Sequence, residues 1–596
     1  MDRFQEKVGF IWGLADLLRG DYRRSEYGSV ILSFTVLRRL SGQSKAGGMD
    51  FSELSGNPSQ LPRYVAGLSP DIRNIFECFR FTGHVARLRR AGLLGLLLDR
   101  FREIDLEPTS VSNHEMGYIF EELVRRFSEQ SGETAGEHFT PREVIQLMVR
   151  LVFGDDSGDG KSLYDPACGT GGMLSAAEEY LWSEHAGSRV EVYGQELNPE
   201  SFAICKADAL LRGHDAGNIV CGNSFLEDGF AGRRFDFMLS NPPFGVDWKK
   251  SERQIRHEHE HMGFAGRFGA GLPRVTDGSL LFLQHMLSKM KPEGTRLAVV
   301  FNGSPLFAGD AGSGESEIRR WIFENDWLEA IVALPDQLFY NTGLATYIWL
   351  LTNRKSPSRK GRVQLIHAVT FADKMPRSLG AKRNQIQPAQ INAICDIHRE
   401  FRDGPHTKIV RNEDFGYRRI TIERPLRLSF QASPERLHSI QHKFEPAARE
   451  ALASMDPGIV YRDQGAFDVA LREAFERAGV KLGRTLSRRI RESLSVPHEG
   501  AEPYCDAKGR PQPDPELRDH DDVPLNQDVQ AWFDGEVGPH APDAWFVPTE
   551  ARIGYTIPFA RFFYEPDPMR SLSEIDEEIR SLERETQRLL RQLESA

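Results

Sequence analysis

Between residues 137 and 355, seven short apolar runs, "SLYDPA", "RVEVYGQEL", "NIVCGN", "FDFMLSN", "TRLAVVFN", "LEAIVALP" and "ATYIWLLTN", alternate with helical stretches such as 171–185 and 199–212. Apolar runs too short for helices, spaced by helical segments, are what strands buried on both faces look like when crossover helices join them. The alternation predicts an α/β fold: a doubly wound, mostly parallel sheet with helices on both faces. The flanks read differently. Residues 1 to about 130 are helical, and "IWGLADLLRG" (11–20) and "SVILSFTVLRRL" (29–40) place apolar residues at helical spacing and end in basic residues that suit a helix C-terminus. Beyond 355 the pattern is mixed, and a polar, Asp/Pro-rich passage at 496–525 reads as a surface excursion.

The end of the chain carries a second periodicity. Leu572, Ile575, Ile579, Leu582, Thr586, Leu589 and Leu593 recur at alternating spacings of three and four, with Glu and Arg between them, and Ser571 with Glu574 makes a capping box. A coiled-coil seam of about three heptads is too short to be secure alone, so the narrow stripe points to a partner helix. The expected organisation is a helical N-terminal domain (1–130), the sheet domain (131–355), a mixed C-terminal region (356–568) and a coiled-coil helix for partner binding (569–596).

Bulk properties narrow the class. No apolar run approaches the ~18 residues of a membrane span. The start "MDRFQEKVGF" lacks a signal peptide's basic and apolar regions, and six scattered cysteines form no C-x-x-C pair. Cytoplasm is the expected compartment, with no membrane and no structural metal. A net charge of −11 argues against a chain that coats nucleic acid by itself, while leaving room for local contact with DNA when a partner supplies most of the positive field.

The chemistry lies in three loops. "DPACGTGG" (165–172) occupies the first strand-to-helix turn, where glycines let the backbone approach a ligand. No G-K-[ST] follows, so a nucleotide phosphate is disfavoured. At the end of the next strand, Glu196 in "GQELNP" is placed to accept hydrogen bonds from both hydroxyls of a ribose. A ribose without a phosphate cradle points to an adenosine-type cofactor such as S-adenosylmethionine. The third loop is "SNPPFG" (240–245). Pro242 and Pro243 end the strand and hold the corner rigid. There the Asn241 side-chain carbonyl and the Pro242 backbone carbonyl suit the two hydrogens of an exocyclic amine. An aryl amine is a poor nucleophile because its lone pair is delocalised. Two acceptors would localise that pair for in-line attack on a sulfonium methyl, with Phe244 stacked on a base flipped out of its duplex.

With Asp-Pro-x-x-Gly-x-Gly-Gly, a following acidic ribose residue and Asn-Pro-Pro-Phe in that order, the chain resembles the amino-methylating DNA methyltransferases. It is most similar to the modification subunits of type I restriction–modification systems. The resemblance covers nearly the whole chain, from the helical opening to "IGYTIPFARFFY" (553–564) and the terminal heptads. It implies an S-adenosylmethionine-dependent, adenine-specific DNA methyltransferase acting at N6, since Asn rather than Ser stands before Pro-Pro. It further implies that "GEHFTPREV" (136–144) lays Glu137, His138, Phe139, Thr140, Pro141 and Arg142 against the methionine end of the cofactor. Asp165, Gly169, Thr170, Gly171, Gly172 and Glu196 complete the cofactor site, and Asn241, Pro242, Pro243 and Phe244 are the catalytic set. Asn223 stands where such enzymes often place an Asp against the adenine amine. The implied partners are double-stranded DNA, a specificity subunit that takes two chains of this kind, and a restriction subunit.

Other features have plainer readings. "HEHEH" (257–261) reads as a solvated polar loop, and the flanking "DWKKSERQIR" and "GRFGAGLPR" serve equally well as a DNA-holding loop or as ordinary surface. Two rival functions stay open: methylation of a glutamine amide in a protein, which poses the same lone-pair problem, and a cofactor-binding scaffold without turnover.

Overall fold

The computed structural model of the chain describes residues 2–41, 51–131, 140–154, 156–185, 188–340, 342–506, 508–548, 551–564 and 571–594. It divides into two compact units, Met1–Ile557 and Pro558–Ala596. All seven predicted runs are strands: β1 Ser162–Asp165, β2 Glu191–Glu196, β3 Ile219–Cys221, β4 Phe237–Ser240, β5 Arg296–Asn302, β6 Leu328–Ala333 and β7 Thr346–Thr352. They lie in the order β3-β2-β1-β4-β5-β7-β6, and the sheet runs on past residue 355 through β8 (Arg362–His367) to an edge strand, Thr407–Arg411. β7 is antiparallel to β5 and β6, and the edge strand is antiparallel to β8. The remaining pairs are parallel.

Every residue of β1 and β4 is buried, which is why these strands read as apolar runs rather than alternating ones. Leu163 of β1 pairs with Val192 on one side and Phe237 on the other. The chain winds outward from β1 first through β2 and β3 and then, on the other side, through β4 and β5. The turns after β1 and β4 therefore part at the carboxyl edge and leave a crevice. One face is covered by the helices Arg142–Phe153 and Gly172–Glu184, whose Val144, Leu147, Met148, Leu151 and Leu174 share a core with Leu163, Phe237, Val300 and Ile348.

The N-terminal helices have their own core, and Ala203, Ala207 and Leu211 of the helix Pro199–Arg212 belong to it. Small side chains at 203 and 207 let the helical region seat directly on a helix of the sheet layer. The helix Tyr27–Ser41 is buried nearly all round, including its basic end. Arg38 and Arg39 stand in the last turn of the helix, as expected, and both are buried. Fully buried Arg39 donates to the carbonyls of Leu106 and Val111 and to Asn113 Oδ1, each at 2.7 Å, and Arg38 Nε donates to Ile104 O at 3.1 Å. Residues 104–112 lie outside any helix or strand, so their buried carbonyls need donors from elsewhere, and a guanidinium supplies several from one side chain.

In the C-terminal region the strand Gly416–Glu423 pairs with Asp519–Pro524, Trp545–Phe546 and Arg552–Tyr555. Part of the expected surface excursion at 496–525 is thus a ladder strand, polar except for Val523, which is buried, and Pro524. A separate helical cluster packs Phe430, Phe467, Leu471, Phe475 and Ile490 together. In the second unit the helix Leu572–Glu594 begins with the expected capping box. Ser571 N–H donates to Glu574 Oε2 at 2.9 Å and Glu574 N–H donates to Ser571 Oγ at 3.3 Å. Among the described residues no helix is long and apolar enough to cross a membrane.

Arg39 generates the first prediction. Replacing it with Met keeps most of the volume but strips donors from the buried carbonyls of Leu106 and Val111 and from Asn113, at a cost on the order of 3 kcal/mol. Arg39→Met is expected to lower the urea midpoint of the helical region, followed by far-ultraviolet circular dichroism. A midpoint equal to that of the unsubstituted chain would show that water satisfies these carbonyls.

Candidate active site

A cavity of about 850 Å³ opens at the carboxyl edge of β1, β2 and β4. Strand endings set much of its wall. β1 ends in Asp165, whose buried Oδ1 accepts Ala167 N–H at 2.9 Å and the Ser240 hydroxyl at 2.8 Å. That second bond ties the glycine turn to the end of β4. Burial pushes the Asp165 carboxyl up to about 7, with the Ala167 and Ser240 donors pulling it down and the charge of Glu196 adding to the rise.

The turn that follows is shaped by close approach. Gly171 has φ +89°, and a Cβ there would lie 2.9 Å from Cys205 Sγ; a Cβ on Gly194 of β2 would lie 2.8 Å from Cys168 Sγ. Glu196, at the end of β2, accepts Gly169 N–H on Oε2 at 2.9 Å and Asn198 N–H on Oε1 at 2.7 Å. Asn198 in turn caps the next helix, accepting from Glu200 and Ser201 N–H. After β3, Asn223 Oδ1 accepts Phe225 N–H at 2.9 Å and its amide donates to Ser251 Oγ at 3.3 Å.

The corner after β4 is oriented from a distant part of the chain. Asn241 Nδ2 donates to Thr140 Oγ1 at 2.9 Å, and Asn241 Oδ1 is buried with no hydrogen-bond partner. The Thr140 bond fixes which way the amide faces, and the side-chain carbonyl is the free acceptor. Phe244 stands half-buried beside it, edge-on to Phe339 with ring centroids 6.1 Å apart.

Of the residues singled out from sequence, Thr140, Arg142, Asp165, Gly169, Thr170, Gly172, Glu196, Asn223, Asn241, Pro243 and Phe244 line this one cavity. Pro141, Gly171 and Pro242 do not: Pro242 is buried behind the rim, and Gly171 faces Cys205. Glu137, His138 and Phe139 lie outside the described residues.

Two groups escape sequence reasoning. The first ties the N-terminal helices to the cavity wall. Glu121, on the helix Asn113–Ser131, pairs with Arg142 at 2.8 Å and Arg212 at 3.4 Å, and Arg212 Nε donates to Asp208, which also accepts the Ser175 hydroxyl at 2.5 Å. Burial pushes the Glu121 carboxyl up, and the two arginines oppose it. The second group pins the insert that follows β4. The expected polar loop at 257–261 is part of a helix, Glu252–Met262, with His259 Nδ1 2.7 Å from Phe268 O. Arg267 pairs with Glu258 at 2.7 Å and donates to the carbonyls of Ser224 and Phe225 at 2.7 and 2.8 Å, so the insert is fastened to the loop after β3. Behind it, burial pushes His285 down to about 3, and its neutral ring lies 3.0 Å from the Tyr164 hydroxyl. Apart from Arg212 and Asp208, one helical turn apart, no local spacing marks these pairings, because the other partners lie nine or more residues away in sequence.

Comparison with known proteins agrees with the geometry. Residues 111–416 match the profile of the N-6 DNA Methylase family, and residues 8–47 match that of the HsdM N-terminal domain. The type I restriction enzyme MjaIX methylase subunit of Methanocaldococcus jannaschii is 30% identical over 309 residues, 52% of this chain and 53% of that protein. The HindI methylase subunit of Haemophilus influenzae is 31% identical over 258 residues, 42% and 54% of the two chains. The chain thus spans about half the length of these relatives. A crystal structure of a type I restriction–modification methyltransferase subunit from Streptococcus thermophilus shares the fold, with a TM-score of 0.57 at 21% identity over 69% of this chain and 96% of that one. On a profile match that takes in the cavity, its glycine turn and the Asn-Pro-Pro-Phe corner, the chain belongs to the N-6 DNA methylase family.

Proposed function

We propose that the chain is the methyl-transferring subunit of a type I restriction–modification complex, acting on the N6 amine of an adenine flipped out of duplex DNA. The observation that carries this reading is the buried, unpartnered Oδ1 of Asn241, turned by Thr140 and set in the same cavity as the glycine turn and Glu196. The donor set fits S-adenosylmethionine. About 850 Å³ accommodates a nucleoside-sized cofactor with room for a base. Two carboxylates, Asp165 and Glu196, line the cavity beside the glycine turn, an environment that favours a cation and a ribose over a phosphate. When bound, the cofactor supplies an electrophilic methyl on a sulfonium.

The chain's own groups do the rest. Glu196 has lone pairs left for ribose hydroxyls after accepting two backbone N–H groups. Asn241 Oδ1 takes one hydrogen of the target amine, while Pro242, which does not line the cavity, stiffens the corner that carries that acceptor. This localises the nitrogen lone pair for attack. Phe244 offers a ring face to the extruded base. Thr140 and Arg142 lie at the methionine end, where Glu121 holds the guanidinium. On this reading residues 1–130 are a helical domain, 131–355 the catalytic domain, with its sheet running on to Arg411, 356–568 a mixed region, and 569–596 the partner-binding helix. The family match favours a nucleobase amine over a protein amide as acceptor.

The second unit supports a partner of helical kind. On the helix Leu572–Glu594, Leu572, Ile575, Ile579 and Leu582 are 83, 38, 50 and 56% exposed, a stripe at coiled-coil spacing that the described residues of its own unit leave uncovered. We assign it to a specificity subunit that chooses the DNA site, taken by two copies of this chain. A restriction subunit completes the assembly, in the cytoplasm.

Three outcomes are expected. Asn241→Ala should lower methyl transfer by about 10²-fold or more while calorimetry shows nearly unchanged cofactor affinity, because the amide acts on the acceptor rather than on the cofactor. Transfer at the unsubstituted rate would remove Asn241 from the chemistry. Glu196→Ala should weaken cofactor binding by about 1.5–3 kcal/mol for each charge-assisted bond removed, roughly 10- to 150-fold in Kd; an unchanged Kd would place the ribose elsewhere. Ile579→Asp with Leu582→Asp should abolish co-elution with the specificity protein and site-specific methylation, since two unpaired carboxylates in a seam cost several kcal/mol. Cofactor binding should stay intact. Persistent co-elution would show that the stripe is not the joint.

A further inference from the structure

Beyond the cavity itself, the turn that opens the insert after β4 has a charge pattern unlike the rest of that insert. Between Val246 and Thr276 most of the arginines are matched: Arg256 with Glu252 at 2.8 Å, Arg267 with Glu258 at 2.7 Å, and Arg274 with Asp277 at 3.8 Å. Lys249, Lys250 and Arg253 are exposed and have no carboxylate partner among the described residues. They sit together on the 3-10 turn Lys249–Ser251 and the first turn of the helix Glu252–Met262. Lys250 lines the cavity along with Asp247, Trp248 and Ser251. In a chain of net charge −11, three unmatched cations on one short turn, one of them lining the cavity at the sheet's switch point, are a local exception.

The turn is also rigid. Trp248 is buried, packed with Ile255, Phe268 and Leu281 and against Phe225 of the loop after β3. Its indole N–H donates to Arg274 O at 3.0 Å, its backbone N–H donates to Val275 O at 3.1 Å, and Gly278 N–H donates to Val246 O at 3.0 Å. Asp247, the nearby carboxylate, accepts Lys249 N–H at 3.2 Å and so closes the turn. The cations therefore project from a fixed platform, and the amino end of the helix adds partial positive charge of the same sign.

We propose that Lys249, Lys250 and Arg253 form a phosphate clamp that grips the DNA backbone beside the nucleotide extruded into the cavity. This rests on the reading of that cavity as the place where a DNA base is methylated. A base swung out of the stack carries its flanking phosphates to the cavity mouth, where they would be held against a rim that otherwise offers the carboxylate of Asp247. The clamp reads no sequence: contacts to phosphate set register and position, which is compatible with site choice made by another subunit.

The test uses the full chain and a short duplex carrying one unpaired adenine, which lowers the cost of extrusion. Binding is measured at a series of salt concentrations, with cofactor affinity measured in parallel. Neutralising all three cations (Lys249→Gln, Lys250→Gln, Arg253→Gln) is expected to flatten the plot of log K against log salt by about 0.9 for each phosphate no longer neutralised, and the pair Lys249→Gln with Arg253→Gln, which leaves the cavity lining untouched, is expected to flatten it in part with cofactor Kd unchanged. A matched control, removing the same charge from Lys360, Arg472 and Lys481, should leave the slope alone. If the unsubstituted chain with its partners methylates DNA and the clamp variant keeps the original slope, or if the control flattens it equally, the clamp is overturned and the methyltransferase reading stands. If the unsubstituted chain neither binds this duplex nor transfers methyl to DNA, both fall together.

Discussion

The carboxylate of Glu196 holds two loops in one rim. By accepting Gly169 N–H on one oxygen and Asn198 N–H on the other, it fixes the turn after β1 against the end of β2 and positions the cap of the following helix. Ser240 performs the matching task on the other side, bonding Asp165 across the crevice from the end of β4. A parallel sheet leaves its strand ends splayed at the switch point, and these two cross-links convert that splay into a wall of defined shape. The glycines are then forced by contact: with Cys168 and Cys205 packed behind them, Gly194 and Gly171 have no room for a Cβ.

Much of this is legible in the sequence because burial on both faces leaves a plain signal. The strands β1 to β7 coincide with the seven apolar runs, and the Gly-rich turn, Glu196 and the Asn-Pro-Pro-Phe corner fall at their carboxyl ends as expected. What is not legible is long-range or locally ambiguous. Thr140 and Asn241 are bonded across 101 residues of chain, and no spacing rule links them. The helix Glu252–Met262 reads as a loop because it buries only Ile255 and shows almost no apolar periodicity. The strand Asp519–Pro524 hides for the same reason, with Val523 its one buried apolar residue. Arg39 has the sequence signature of a surface charge at a helix end; its role is set by carbonyls at 106 and 111 that only the folded chain brings near.

The N-terminal helices do more than precede the sheet. Through Glu121 they hold Arg142 at one end of the cavity, and through Arg212 they reach Asp208 and Ser175 at the start of the helix that follows the glycine turn. Their apolar core is likewise continuous with the helix Pro199–Arg212. Polar and apolar contacts thus converge on the same helices. The helical region and the cavity wall are one mechanical body, so a strain introduced at either is felt at the other.

Asp165 gives the cavity an acid–base character of its own. Burial and the neighbouring charge of Glu196 hold its carboxyl at about 7, so near neutrality the group is shared between its two protonation states. A cation settling beside it favours the ionised form and lowers its pKa, and the proton it held must go to solvent. A positively charged ligand settling in this cavity would then also release protons. The enthalpy of such binding would contain the ionisation heat of whatever buffer takes that proton, and would change from buffer to buffer while the underlying contacts stayed the same.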